Sequence, residues 1–140
     1  MAADGLFKLF TKVHVGLFRL TRGKGMSTVR GMPILLLTTV GRKTNKPRTT
    51  PLMFIRDGAD YVITASNSGG DKHPAWFLNL QASPAVQIET GGEKLQVSAT
   101  IAGAPDRARL WSVLIGKAPF FEGYQKGTAR QIPMVILRRR

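Results

Sequence analysis

A small, mainly antiparallel β-barrel with flanking helices is the fold this sequence predicts, and three observations predict it. Six short apolar runs, rich in Val, Ile, Leu, Thr and aromatic residues, are spread from residue 33 to the C-terminus. Two of the gaps between them, "RDGA" and "GG", are tight-turn signals of the kind that join antiparallel neighbours. Helical spacing interrupts the runs without regular βαβ alternation, and no GxGxxG follows a strand, which argues against a Rossmann fold. At 140 residues a single barrel domain with a real core is expected.

The elements follow in order. In "DGLFKLFTKVHVGLFRLTRGKG", Leu6, Leu9, Phe10, Val13, Leu17 and Leu20 recur at helical spacing. Asp4 suits the N-cap, Gly23 suits the stop, and Lys8, Lys12 and Arg19 fall on the opposite face. Residues 1–25 are therefore read as a basic amphipathic helix and 26–140 as the barrel. The helix has two readings, packed on the domain or lying on an anionic membrane surface. "GKGMSTVRG" reads as a loop. Residues 33–40 and 49–56 read as buried strands joined by "GRKTNKPRTTP", and "DYVITAS" follows the "RDGA" turn as a third. "NSGGDK" is a flexible loop, and Pro74 opens a short helix, "PAWFLNLQAS", stopped by Pro84. "AVQIET" and "EKLQVSATIAG" form the second hairpin. "APDRARLWSVLIGK" is a helix with Pro105 and Asp106 in its first turn, "APFFEGYQKGTARQ" a long loop, and "IPMVILRRR" the last strand.

Charge is the strongest compositional signal. The net charge is +13, and between Gly5 and Arg56 there is no Asp or Glu. Such a field gathers polyanions: nucleic acid, an anionic membrane or a many-charged cofactor. Arg42, Lys43, Lys46 and Arg48 concentrate it within seven positions. Absence of cysteine excludes disulfides and thiolate metal sites and suits a reducing cytoplasm. No apolar run reaches the ~20 residues that span a bilayer, and no secretory leader is expected. The expected location is the cytoplasm, with the inner face of the cell membrane as the setting if the helix binds lipid. His14 and His73 stand far apart, and no HExxH, Walker A, GxSxG or paired-carboxylate pattern occurs. An enzyme with so few acid–base groups takes its reactive atom from a bound cofactor.

With strands on both sides of the cationic run, the sequence resembles the deazaflavin-dependent nitroreductases, a family of coenzyme F420-dependent split-barrel reductases. The resemblance covers roughly residues 32–137, in "PILLLTTVGRKTNKPRTTPL", "RDG", "ASNSGGDKHPAWFLNL", "SPAVQIE" and "IPMVIL". It implies a split barrel like those that bind FMN, and a reduced deazaflavin that gives hydride to a quinone, an activated enone or a nitroaromatic. The coenzyme's tail, a phosphate followed by glutamates, would fall to Arg42, Lys43 and Arg48, which match the family's tail-binding positions. Guanidinium forks pair bidentately with such anions, and lysine adds a point charge.

The resemblance implies further site residues. Thr44, Thr49 and Thr50 would add hydroxyl donors, and Pro51, Leu52 and Met53 continue the same cofactor-binding strand. Thr64, Ala65, Ser66 and Asn67 match the loop along the deazaflavin ring, with Ser66 near the reacting face. Many relatives have lysine where this chain has Asn67. Ala75, Trp76, Phe77, Leu78 and Asn79 match the helix beside the cofactor. Phe121 and Tyr124 match the loop that covers the acceptor, in which Tyr124 alone carries a hydroxyl. Lys72 stands before the helix as a further cation, and His73 reads as a surface or capping residue. The reading is an F420H2-dependent oxidoreductase with an apolar, electron-poor acceptor and no metal, monomeric or dimeric. Two alternatives stay open, an FMN-binding split-barrel flavoprotein and a non-enzymatic barrel that binds nucleic acid. Against the second, the aromatics at 7–18, 76–77 and 120–124 lie away from the cations at 42–48.

Overall fold

The computed structural model describes residues 28–140 together with Val15. Among the described residues there are seven strands: β1 (Thr28–Val29), β2 (Met32–Val40), β3 (Pro47–Asp57), β4 (Asp60–Thr64), β5 (Ala85–Thr90), β6 (Glu93–Ile101) and β7 (Met134–Arg139). Between them, among residues 28–140, lie three α-helices: α1 (Ala75–Ala82), α2 (Ala104–Lys117) and α3 (Phe121–Lys126). The strand order is β2-β3-β4-β7-β6-β5, and β5 pairs back onto β2, so six antiparallel strands close into a barrel. This is the mainly β architecture that the apolar runs predict.

Alternation fixes which side chains fill the barrel. Leu35 and Leu37 of β2, Phe54 of β3, Ile63 of β4, Val86 and Ile88 of β5, Leu95 and Val97 of β6, and Val135 and Leu137 of β7 form the interior cluster. Trp76, Phe77 and Leu80 of α1 join it. That helix therefore closes the barrel end at which β2 and β4 finish and β3 and β5 begin. On the outside, Leu110 and Leu114 of α2 and Phe121 of α3 cover Ile55, Val62, Met134 and Ile136. A second outer patch, Ile34 and Leu36, is covered by Val29, Met53 and Val15, which is helical. That contact packs Val15 on the barrel; the rest of the helix predicted for residues 1–25 lies outside the described residues.

Two hairpins are built as their turn residues demand. Asp57 pairs with Asp60 around Gly58 (φ +59°), and Thr90 pairs with Glu93 around Gly91 and Gly92 (φ +59° and +79°). Three expectations need correction. "GKGMSTVRG" is not wholly loop: Thr28–Val29 pairs with Met32 and Pro33 through the Arg30–Gly31 turn. "APFFEGYQKGTARQ" holds α3, whose Glu122 and Lys126 sit at the ends that suit their charges. The third strand stops at Thr64, because Ala65 and Ser66 leave the sheet for a 3₁₀ turn at Asn67–Gly69 with three positive φ values in a row.

Candidate functional site

The cationic run is the turn between β2 and β3, and its backbone is pinned. The Gly41 N–H donates to the Lys46 carbonyl at 2.8 Å, and the Asn45 N–H donates back to the Gly41 carbonyl at 2.7 Å. Asn45 takes a left-handed conformation (φ +59°), which asparagine tolerates better than most residues. A Cβ on Gly41 would stand 2.6 Å from the Thr44 hydroxyl and 3.1 Å from the Lys46 carbonyl oxygen, so a side chain there would have to displace part of the turn. Arg42 through Arg48 are exposed. The ion pairs among the described residues use other cations, Arg109 with Asp57 and Asp106, and Arg138 with Asp60. Arg42, Lys43, Lys46 and Arg48 thus face solvent on a turn of fixed shape, in none of the ion pairs found among the described residues.

Asn79 of α1 anchors this turn. Its side-chain oxygen accepts from the Arg42 backbone N–H at 3.2 Å and from Arg42 Nη1 at 2.9 Å. Its amide donates to the Thr39 hydroxyl at 3.2 Å. Asn79 and Thr39 are both buried. The side-chain amide of Asn79 is therefore committed to Arg42 and Thr39.

Beside the turn the barrel is split. β3 pairs with β2 from Pro47 to Met53, but with β4 only from Phe54 to Asp57. The β4-side edge of the first half of β3 has no strand partner among the described residues, leaving backbone donors and acceptors for a ligand or water. Five consecutive strand residues cannot all turn side chains to one surface. Met53 packs with the outer clusters, and Thr49 and Pro51 share its parity. Leu52 packs with the interior, and Thr50 and Arg48 share that parity at the barrel mouth. The Thr49 hydroxyl is hydrogen-bonded across the pair to Thr38 at 2.9 Å. The β3–β4 pairing begins at Phe54 with Ile63, so Thr64, the last residue of β4, stands just beyond it.

The loop after Thr64 completes the rim of the slot. Asn67, Ser68 and Gly69 have φ of +48°, +53° and +81°, a strained run that is costly for serine. Arg130 holds it. Its guanidinium donates to the carbonyls of Ala65 (3.1 Å), Ser66 (2.8 Å) and Gly70 (2.9 Å), and bonds His73 Nδ1 at 3.1 Å. Arginine has no acceptor, so His73 Nδ1 accepts and the ring is the neutral tautomer protonated at Nε2. Burial, and then the Arg130 charge, hold the His73 pKa below its ordinary value. Burial also lowers Arg130, opposed by Asp71. The Asn67 amide donates to the Lys72 carbonyl at 3.0 Å. Asn67 thus serves the loop itself, tolerating positive φ and closing the turn.

α3 lies directly against this loop. A Cβ on Gly69 would stand 3.1 Å from both the Cα and the carbonyl oxygen of Tyr124. The Tyr124 hydroxyl accepts from Arg30 Nη1 at 3.2 Å. Behind α3, Arg107 donates to the Ile132 carbonyl at 2.9 and 3.1 Å and to Gln125 Oε1 at 3.1 Å, fixing the segment that carries Arg130.

The structure brings Arg42, Lys43, Thr44 and Arg48 to one turn, sets Thr49, Pro51 and Met53 on one face of β3, ends β4 at Thr64, and lays the loop that follows Ser66 and Asn67 against Tyr124 at Gly69. It buries Ala65, Trp76, Phe77 and Phe121 in the hydrophobic clusters, with Leu78 partly buried against the interior, so these shape the site from beneath. Ala75 is exposed at the start of α1. Sequence reasoning missed Arg130, Arg107 and Arg30. An arginine in a polar loop carries no local sign of the carbonyls it will meet some sixty positions away.

Comparison with known proteins adds a family to this geometry. The pattern of a family described as F420H(2)-dependent quinone reductase matches residues 10–139. An F420H(2)-dependent quinone reductase of Mycobacterium tuberculosis is 41% identical over 133 residues, which is 92% of this chain and 89% of that protein. A solved F420-H2 dependent reductase superposes with a TM-score of 0.70 at 34% identity, covering 76% of this chain and 94% of its own. A heme storage protein of Vibrio cholerae shares the fold alone, with a TM-score of 0.59 at 14% identity over 93% and 90% of the two chains.

Proposed function

The chain belongs to the F420H(2)-dependent quinone reductase family and is an F420H2-dependent oxidoreductase, and on that premise we propose how its residues divide the work. The family's description names F420H2, and the FMN alternative finds no support in it. In this reading the cationic turn holds the anionic tail of the coenzyme, the half-open edge of β3 and the Ser66–Asn67 loop hold its ring, and the acceptor lies under α3. The acceptor is a quinone or a related electron-poor carbonyl compound. An anionic membrane surface, met through the basic face of residues 4–22, is the finer part of the proposal and rests on the sequence pattern alone.

One observation carries the reading: Asn79 fixes Arg42, and with it a turn of exposed cations, at the mouth of the slot that the shortened β3–β4 pairing leaves open. The donor set fits the group. Exposed guanidinium and ammonium groups suit phosphate and carboxylates, and a half-unpaired strand edge suits the hydrogen-bonding rim of a flat heterocycle. When bound, the reduced deazaflavin supplies the hydride. The protein's residues bind, orient and exclude water; they need not generate a nucleophile, which agrees with the scarcity of acids and histidines. Arg42, Lys43 and Arg48 bind. Arg130 keeps the Ser66–Asn67 loop in one conformation, and Tyr124 offers the acceptor a phenol.

The test is a fluorescence titration of wild type, Arg48→Ala and Arg42→Ala/Arg48→Ala with the full coenzyme and with a fragment cut back to ring and ribityl chain. Charge-assisted hydrogen bonds contribute about 1.5–3 kcal/mol each, so each substitution weakens full-coenzyme binding roughly ten- to a hundredfold. The fragment, which has neither phosphate nor glutamates, is affected little. Equal loss for both ligands, or none for either, overturns the assignment of the turn to the tail.

A further inference from the structure

Arg30 has an uncommon backbone. It and Gly31 form the two-residue turn between β1 and β2, with φ of +52° and +80°. Glycine, asparagine and aspartate are the usual residues there, and a long side chain at positive φ is strained. Strain of this kind persists where the side chain is needed in one place. Here the side chain crosses to α3. Its guanidinium carbon lies 3.7 Å from the centre of the Phe120 ring, and Nη1 donates to the Tyr124 hydroxyl. Phe120 is also stacked on Phe121, at 4.9 Å with 27° between the planes. Tyr124 meets both rings edge-on, at 5.9 and 5.4 Å. Phe121 is buried in the outer core, so guanidinium and rings form one stack with a fixed end.

We propose that Arg30 is a positioning residue for acceptor reduction: it turns the Tyr124 phenol so that the O–H donates to the acceptor oxygen that gains negative charge. This rests on the reductase reading above. A guanidinium can only donate, so the Tyr124 oxygen must accept from it, and the phenolic proton is left for another partner. Among the described residues none accepts it. Tyr124 also meets Gly69 through its backbone, so the same residue touches the proposed coenzyme loop and offers this proton. A hydrogen bond in which a cation stands behind the donor strengthens as charge develops on the acceptor, the requirement for stabilising a transition state. Lysine meets half of it: an ammonium can donate to the phenol but cannot lie flat on Phe120.

The experiment compares wild type, Arg30→Met, Arg30→Lys, Tyr124→Phe and the Arg30→Met/Tyr124→Phe pair in the full chain. Menadione is the acceptor, and coenzyme affinity is measured separately by fluorescence. Methionine keeps an apolar cover on Phe120, and lysine guards against loss of folding. Arg30→Met is expected to lower kcat about tenfold with little change in KM for menadione or in coenzyme affinity, and Arg30→Lys to recover part of it. In the Tyr124→Phe background, Arg30→Met should cost little more. A readout independent of turnover is ¹³C labelling of tyrosine at Cζ: the chain has two tyrosines, so the Tyr124 signal is assigned by its loss in Tyr124→Phe. That signal should move in Arg30→Met. An unmoved signal, unchanged turnover, or equal losses in both backgrounds overturns the proposal. Failure of wild type to bind coenzyme or to reduce any quinone would instead overturn the reductase reading beneath it.

Discussion

One oxygen atom of Asn79 holds Arg42 twice, by its backbone N–H at 3.2 Å and by its guanidinium at 2.9 Å. The helix that plugs the barrel is thereby joined to the turn that carries the cations. The bond fixes both the chain direction at Arg42 and the side of the turn to which its guanidinium reaches.

Substitution separates those two effects. Asn79→Ala leaves the Arg42 N–H and the Thr39 hydroxyl without their buried partner, a loss of about 1–3 kcal/mol in stability, together with weaker coenzyme binding. Asn79→Asp keeps an acceptor for Arg42 and adds a carboxylate that competes with the coenzyme's anions, so binding falls even where the fold holds. Thermal unfolding and coenzyme titration of both variants check this. Unchanged coenzyme affinity in both would show that Arg42 needs no anchor.

Gly69 tests the contact between loop and α3. Gly69→Ala places a methyl 3.1 Å from the Tyr124 backbone at φ +81°, whereas Gly58→Ala has a similar φ of +59° and open space around it. Both changes bear the left-handed penalty of about 1–2 kcal/mol. Only Gly69→Ala should also lower quinone turnover, because the loop and α3 must part. Equal behaviour of the two in unfolding and turnover would show that the close approach is immaterial.

The membrane part is tested by charge rather than by truncation. Val15 covers Ile34 and Leu36, so deleting the N-terminal residues would bare an apolar patch and confuse lipid binding with aggregation. Substituting Lys8, Lys12 and Arg19 with Gln leaves the apolar residues in place. Each basic residue near an anionic surface contributes about 1 kcal/mol, so pelleting with phosphatidylserine-rich vesicles should fall steeply. Equal pelleting of wild type and variant would leave packing on β2 as the helix's role.

Legibility in the sequence followed the range of the forces. The strand "PILLLTTV" could be read because both faces of β2 are covered, Leu35 and Leu37 by the interior and Ile34 and Leu36 by the outer patch. The cationic turn could be read because charge density and flanking strands are local. β1 could not: two residues have no period, and the pair exists because Arg30 and Gly31 accept positive φ. α3 could not either, since six residues including Gly123 are a poor helix alone and Phe121 holds them by burial. Arg130 was the hardest. Nothing in "KGTARQ" says that a guanidinium there will meet three carbonyls of a distant loop.

The same Arg130 gives the loop a dependence on pH. His73 Nδ1 accepts from its guanidinium at 3.1 Å, and the ring packs on Phe77 at 4.7 Å. Protonation would remove the acceptor and set a second cation against the first. Burial, and then the Arg130 charge, accordingly hold the folded-state pKa of His73 below its ordinary value. The sign follows by linkage. Between the lowered pKa and the ordinary value near 6.5, the unfolded chain binds more protons than the folded one, so stability rises with pH. The contribution is fully present above about pH 6.5 and is lost as pH falls through the folded-state pKa. His73→Gln keeps an acceptor for Arg130 but cannot titrate. The measurement is urea unfolding of wild type and His73→Gln between pH 5 and 8, taking the difference so that His14 and the carboxylates cancel. The wild type should lose stability relative to the variant toward pH 5, and Arg130→Met should flatten that difference, since it removes both the hydrogen bond and the charge. A difference independent of pH would mean that His73 is as free to protonate in the folded barrel as in the unfolded chain. The clamp on the Ser66–Asn67 loop would then rest on the three carbonyls alone.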